Sequence, residues 1–217
     1  MNYGELKTEI ADYINRKDLT SRMARFIEDG EDSIYQGIIT PTGTLALRCR
    51  ENLVTASLTP VDGAIALPDD FLELDEATYD GEGQTPLSAQ FYNTLRNYTG
   101  HAGDFALKND SWLQYPIPDV DATFDIIYYS NFKGTLVDDA DTNPILTAYP
   151  DMYRNAALSE AELFIKNDAR SATWDTKLAN SIRSTNATYR RSKFSGKTMT
   201  QRTQYNARLV NRVGRGV

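Results

Sequence analysis

The stretch from Asn143 to Lys193 constrains the fold of this chain most tightly. Pro150 lacks the N–H that a first helical turn leaves unbonded, and Asp151 suits the positive end of the helix dipole, so the pair predicts a helix start. From there Tyr153, Ala157, Ala161 and Phe164/Ile165 recur at three- and four-residue spacing, one face of an amphipathic helix. Ala156, Ala157 and Ala161 are small enough to let another helix approach closely. Asn167-Asp168 interrupts the pattern, and Asp168 is the expected cap of a second helix with Trp174, Leu178, Ile182, Thr185 and Tyr189 on one stripe. Two such helices with a short break between them predict a helical hairpin.

The other end of the chain also reads as helical. Asn2 followed by Glu5 has the spacing of a capping box, and Tyr3, Leu6, Ile10, Tyr13 and Ile14 form a stripe behind it. Asn15-Arg16-Lys17-Asp18 breaks that stripe; Thr20 is the expected cap of a second helix carrying Met23, Phe26, Ile27 and Ile34. Gly37 and Pro41-Thr42-Gly43 end the helical section. Between Thr44 and Thr135 the pattern changes to short β-like runs separated by Gly, Pro and Asp. Residues 44–50 and 53–58 read as a hairpin, Pro86 as the first residue of a helix over 87–97, and 104–108, 112–115 and 122–129 as strands.

The fold expected is therefore α+β. N- and C-terminal helices (1–43 and 136–194) form a helical bundle with an inserted β-rich module that carries one helix (44–135), and an extended basic arm (195–217) follows. The bundle core is expected to contain Leu6, Ile10, Ile14, Phe26, Ala157, Ala161, Phe164, Trp174, Leu178 and Ile182.

Composition excludes several chemistries. A single cysteine, Cys49, cannot form an internal disulfide, and one histidine cannot build a histidine-based zinc site. No apolar run approaches the ~20 residues of a membrane span, and no signal-peptide block opens the chain, so a soluble protein kept inside a cell until assembly is expected. Asp139-Ala140-Asp141-Thr142-Asn143 has the alternation of a calcium loop, but Pro144 and Pro150 stand where Gly and a bidentate Glu are needed, and a solvated turn fits better. Ser195-Gly196-Lys197-Thr198 resembles the end of a phosphate loop whose first glycine is replaced by Arg191. His101 lacks a nucleophile partner in the sequence, and Asp69-Asp70 after Pro68 reads as a turn or cap. The expectation is of no catalytic residues, no metal and no cofactor.

Charge divides the chain. The net charge is −7, yet no Asp or Glu follows Asp175 while the last 42 residues hold ten of the 23 Lys and Arg. An acidic body with a basic interaction tail is the expected arrangement. Past Phe194 the apolar residues are too sparse to fold alone, and the segment reads as an arm that orders on a partner. Tyr205, Leu209, Val210 and Val213 are its expected apolar anchors, and Arg202, Arg208 and Arg212 its guiding cations. Phosphate neutralisation by this arm is the alternative, a DNA-binding protein, although aromatic residues for base stacking are few.

Several segments in consistent order resemble the head–tail adaptor (connector) proteins of tailed bacteriophages. They are Tyr3-Gly4-Glu5-Leu6 through Asn15-Arg16-Lys17-Asp18-Leu19, then Ala66-Leu67-Pro68-Asp69-Asp70-Phe71-Leu72-Glu73-Leu74, then Tyr128-Tyr129-Ser130. Asn143-x-Ile145-Leu146 and Tyr149-Pro150-Asp151-x-Tyr153 with Glu160-Ala161 complete the match, which spans most of residues 3–194. The resemblance implies a structural role without enzymatic activity: a homo-oligomeric ring, typically twelve-fold, beneath the portal protein, with a nozzle or tail-tube protein attached below. It also implies a C-terminal segment that reaches into clefts between portal subunits, and genomic DNA passing through the channel without specific binding. Such a protein assembles in the host cytoplasm, touches no membrane, and resides at the head–tail interface of the virion.

Overall fold

The computed structural model describes residues 1–59, 61, 64–79, 82–83, 85–87, 104–108, 111–115 and 123–194. Five α-helices lie among them: α1 (Tyr3–Ile14), α2 (Met23–Tyr35), α3 (Pro144–Ala148), α4 (Pro150–Phe164) and α5 (Asp168–Phe194). Helix α4 is the centre of the helical part, packing against α1, α2 and α5. Its contact with α2 is antiparallel and close. A Cβ placed on Gly30 would lie 3.0 Å from the Ala156 carbonyl carbon and Ala157 nitrogen, closer than ordinary van der Waals contact, so any side chain here requires the two helices to give way. On either side the rings of Phe26 and Phe164 sit 5.6 Å apart, and the hydroxyls of Tyr35 and Tyr153 meet at 2.9 Å.

Local chemistry explains the helix ends. The Asn2 side chain accepts from the Glu5 amide while the Glu5 carboxylate accepts from the Asn2 amide, the capping box expected for α1. The unbonded amides of Tyr3 and Gly4 donate to the carbonyls of Asp141 and Asp139, at 2.8 and 2.9 Å. Helix α1 ends at Asn15 in the left-handed conformation, φ 52°. Helix α4 begins with Pro150 at its first position and ends in a Schellman motif around Lys166, φ 61°, with Asn167 N–H donating to the Glu162 carbonyl and Lys166 N–H to that of Leu163.

The β strands form three groups. β1 (Ile38–Thr40) and β2 (Gly43–Leu45) make a two-stranded ribbon directly after α2. β3 (Leu53–Leu58), β10 (Phe124–Ser130), β5 (Phe71–Tyr79) and β6 (Glu82–Gly83) form one sheet in the order β3-β10-β5-β6. β4 (Ala64–Ala66), β9 (Ser111–Tyr115), β8 (Asp104–Lys108) and β7 (Thr85–Leu87) form another in the order β4-β9-β8-β7. Ile65, Ala77, Phe124, Ile126 and Tyr128 build a small second core between these sheets, separate from the helical core.

The helical core buries Leu6, Ile10, Ile14, Phe26, Ala157, Ala161, Trp174, Leu178 and Ile182. Phe164 is a correction: it is 48 % exposed. It occupies the last turn of α4, where α2 covers one ring face through Phe26 and the Arg22 guanidinium lies 4.8 Å from the ring centre. Tyr13 is likewise half exposed, its edge on Trp174 and its face beneath Arg154.

Other local expectations are corrected too. Residues 44–50 and 53–58 form no hairpin: β2 pairs with β1, β3 pairs with β10, and a 3₁₀ turn at Arg50–Asn52 separates them. Pro86 lies in strand β7, parallel to β8, rather than at a helix start; the rest of that predicted helix lies outside the described residues. Thr20 falls inside a 3₁₀ helix, Lys17–Arg22, and α2 starts at Met23 without a side-chain cap. Asp168 is the first residue of α5 rather than its cap.

Two substitutions test this packing. Gly30→Ala gains about 1 kcal/mol of helix propensity, but its methyl meets the α4 backbone at less than ordinary contact distance, and overpacking costs roughly 1–3 kcal/mol. A net loss in the denaturation midpoint is expected. Leu178→Ala empties a fully buried site and is expected to cost roughly 2–5 kcal/mol, read from chemical denaturation.

Candidate assembly surface

Helix α5 links the two parts of the molecule. Its first half packs on α4, where Ser159 Oγ meets Ser171 Oγ at 3.0 Å and donates to the Asp175 carboxylate at 2.6 Å. Its second half runs onto the segment after β2. There Asn186, nearly buried, uses both ends of its amide. Oδ1 accepts from the Arg48 amide at 2.8 Å and Nδ2 donates to the Ala46 carbonyl at 2.9 Å, so the side chain pairs with the extended segment as a neighbouring strand would.

Arg48 extends this junction into the β sheet. Its guanidinium lies over the Tyr129 ring, 5.5 Å from the centroid, donates to the Tyr35 and Leu47 carbonyls, and pairs with Glu73 on β5 at 2.7 Å. Fully buried Asn52 holds the chain just beyond, accepting from the Cys49 amide and donating to the Leu47 carbonyl. Burial pushes the Cys49 thiol up to about 12, so this cysteine is an inert packing group.

The last turns of α5 are pinned to the sheet. Tyr189 meets Tyr129 edge to face at 6.5 Å, and the Lys193 ammonium donates to both oxygens of Asp75 on β5. Desolvation opposes the charge of Lys193, but the Asp75 carboxylate outweighs it and holds the ammonium above its ordinary range. The basic C-terminal segment thus starts from a defined place beside β5. Its expected docking residues, Arg202, Tyr205, Arg208, Leu209, Val210, Arg212 and Val213, lie outside the described residues, as do His101 and Ser195-Gly196-Lys197-Thr198.

The carboxylates singled out in the sequence serve as structural acceptors. Asp141 accepts from the amides of Asp138 and Val137, which lowers its pKa, and Asn143 caps α3 from a buried position. Asp70 accepts from the Tyr128 and Ser130 hydroxyls at 2.9 and 2.6 Å, and Tyr128 is raised to about 12 by burial and by that contact. No group of three or more His, Cys, Asp or Glu suited to a metal ion occurs among the described residues. Nor is any helix among them long and apolar enough to cross a membrane. Large apolar side chains stand exposed instead, chiefly Ile39 on the ribbon at 90 %, Val137, Val61 and Leu163. Asn186 had no sequence signal, since a lone polar residue on a helix usually faces water.

These features define an α+β protein organised around helix packing and a basic terminus that leaves an acidic body at a fixed point. The family model described as SU10 adaptor protein matches residues 1–204, and the chain belongs to that family, one of phage head-to-tail adaptors. It is a structural, non-enzymatic protein of the virion, and adaptors of this kind work with portal and tail proteins. The curated proteins contain no match to the chain.

Removing Asn186 leaves the Arg48 amide and Ala46 carbonyl without partners. Asn186→Ala is expected to cost roughly 1–3 kcal/mol and to raise amide exchange at Arg48 above that of α1, measured by hydrogen exchange.

Proposed function

We propose that this adaptor forms a ring, twelve-fold as the family resemblance implies, that docks on the portal protein and presents a platform to a nozzle or tail-tube protein. Genomic DNA passes through its centre without specific binding. The observation that carries the reading is the division of charge: an acidic body, and a basic terminus that starts from a pinned helix end. An acidic channel wall does not retain DNA, and an arm that orders on its partner joins two rings through contacts repeated around the axis.

The arm, residues 195–217, is the docking element in this proposal. An exposed Arg–carboxylate pair contributes only about 0–1 kcal/mol, so charge alone does not hold it. Full burial of Tyr205, Leu209, Val210 or Val213 contributes roughly 1.5–3 kcal/mol each before ordering costs. These residues anchor in clefts between portal subunits, while Arg202, Arg208 and Arg212 steer the approach. Ring contacts form on the portal template, so light scattering of the isolated chain is expected to report monomer at micromolar concentration.

Deleting residues 197–217 is expected to leave thermal melting nearly unchanged and to abolish co-sedimentation with portal. Leu209→Asp is expected to weaken attachment more than Arg208→Ala. Truncated protein that sediments with portal as wild type does rules out the arm as the docking element. The ten Lys and Arg that follow Asp175 favour the second reading, DNA binding; salt-sensitive retention of DNA by the full chain, with no affinity for portal, supports it instead.

A further inference from the structure

Glu31 is a carboxylate in an unusual place: on α2, facing α4, and only 3 % exposed. Its Oε1 accepts from the Tyr153 hydroxyl at 3.2 Å and its Oε2 from the Gly134 amide at 3.3 Å. When Glu31 is ionised Tyr153 donates to it, so in the 2.9 Å contact between the two tyrosines Tyr35 is the donor; Asn143 Nδ2 also donates to the Tyr153 oxygen, at 2.8 Å. When Glu31 holds its proton, its O–H donates across the same contact to the Tyr153 oxygen and Tyr153 donates to Tyr35. Gly134 belongs to the connector 131–143 that joins β10 to α3. One residue along each partner, Lys133 reaches both Asp32 oxygens at 2.7 and 2.8 Å. A groove of about 420 Å³ opens between α2 and the connector, with Glu31, Tyr3, Ile27 and Leu136 among its walls and exposed Val137 at residue 137 of the connector.

We propose that Glu31 is a proton-controlled latch on this connector: neutral, it lets residues 134–137 close over the groove, and ionised, it favours their release so that water reaches the carboxylate. The charged groups around it leave the ionised form poorly supported. Glu28 on α2 opposes it, Asp32 already takes Lys133, and the remaining titratable neighbours, Tyr3 of α1, Tyr35 of α2 and Tyr153 of α4, are hydroxyls held neutral by burial. Arg25, at the groove, is paired with Glu28 and Asp29. Burial dominates, and raises Glu31 from 4.5 to about 7 against the bonds from Gly134 and Tyr153 and the charge of Lys133.

The sign follows. A carboxyl whose folded value is raised keeps its proton where the unfolded or opened chain has lost it. The closed state is favoured below about 4.5, and that advantage disappears as pH rises to about 7. Each pH unit in this window changes the opening equilibrium by up to about tenfold, the limit reached when opening fully exposes the carboxylate.

Hydrogen exchange of the full chain, corrected for intrinsic rates, tests the latch at Gly134–Val137 between pH 5 and 8. Protection in wild type is expected to fall by roughly ten- to a hundredfold across that range. Glu31→Gln is expected to flatten the profile. Tyr153→Phe removes a donor to the ionised carboxylate and is expected to move the midpoint to higher pH, a shift that loss of packing alone does not produce. Protection in wild type that is constant with pH overturns the proposal. So does an equal fall in Glu31→Gln, or a Tyr153→Phe midpoint that stays in place.

Discussion

The close contact between α2 and α4 is the constraint on which the rest of this structure depends. Three small residues, Gly30, Ala156 and Ala157, bring two backbones together, and dispersion between tightly packed atoms then acts along the whole interface. Because the helices are antiparallel, the contact also decides what lies at each end. Phe26 and Phe164 share one end with Arg22. At the other, Tyr35 meets Tyr153, with the connector 131–143 and the segment after the ribbon close by. The polar network around Glu31 is a consequence of this geometry, since the same approach that packs the small residues carries a carboxylate out of water.

Helix α5 solves a different problem, that of holding a β-rich part against a helical one. Exposed ion pairs contribute little at such a junction, so Lys193–Asp75 alone is a weak tie. The stronger elements are buried or aromatic: the Asn186 amide bonded to two backbone groups, Tyr189 on Tyr129, and Arg48 spanning helix end, ring and Glu73. An unpaired buried backbone group costs more than a made hydrogen bond returns, and this asymmetry makes Asn186 specific to its place. For an adaptor the arrangement separates two tasks, a body of fixed shape and a cationic terminus with a fixed origin.

Much of the helical architecture was legible in the residues. The Asn2–Glu5 box, the stripe Leu6-Ile10-Ile14, Pro150 at a helix start and the stripe Trp174-Leu178-Ile182 all act within one or two turns, where spacing alone determines which side chains share a face. The charge division was equally plain, being a property of composition. Phe164 defeated the same reasoning, because periodicity gives a face but not how far the partner helix extends along it.

Tertiary structure decided what depends on partners distant in the chain. Leu53–Leu58 has the alternation of a hairpin strand, but its neighbour is Phe124–Ser130, and no local signal identifies a partner so far along the sequence. Lys166 takes the left-handed position usually held by glycine because Asn167 and Glu162 close the α4 end around it. Glu31 and Asn186 look like ordinary surface residues of amphipathic helices, and only packing shows that one is desolvated and the other stands in for a strand. The sequence determined the periodic elements and the sign of charge along the chain, since both are set by residues near one another. Burial, strand pairing and the state of a buried carboxylate were decided by the fold, because each depends on which distant surfaces exclude water together.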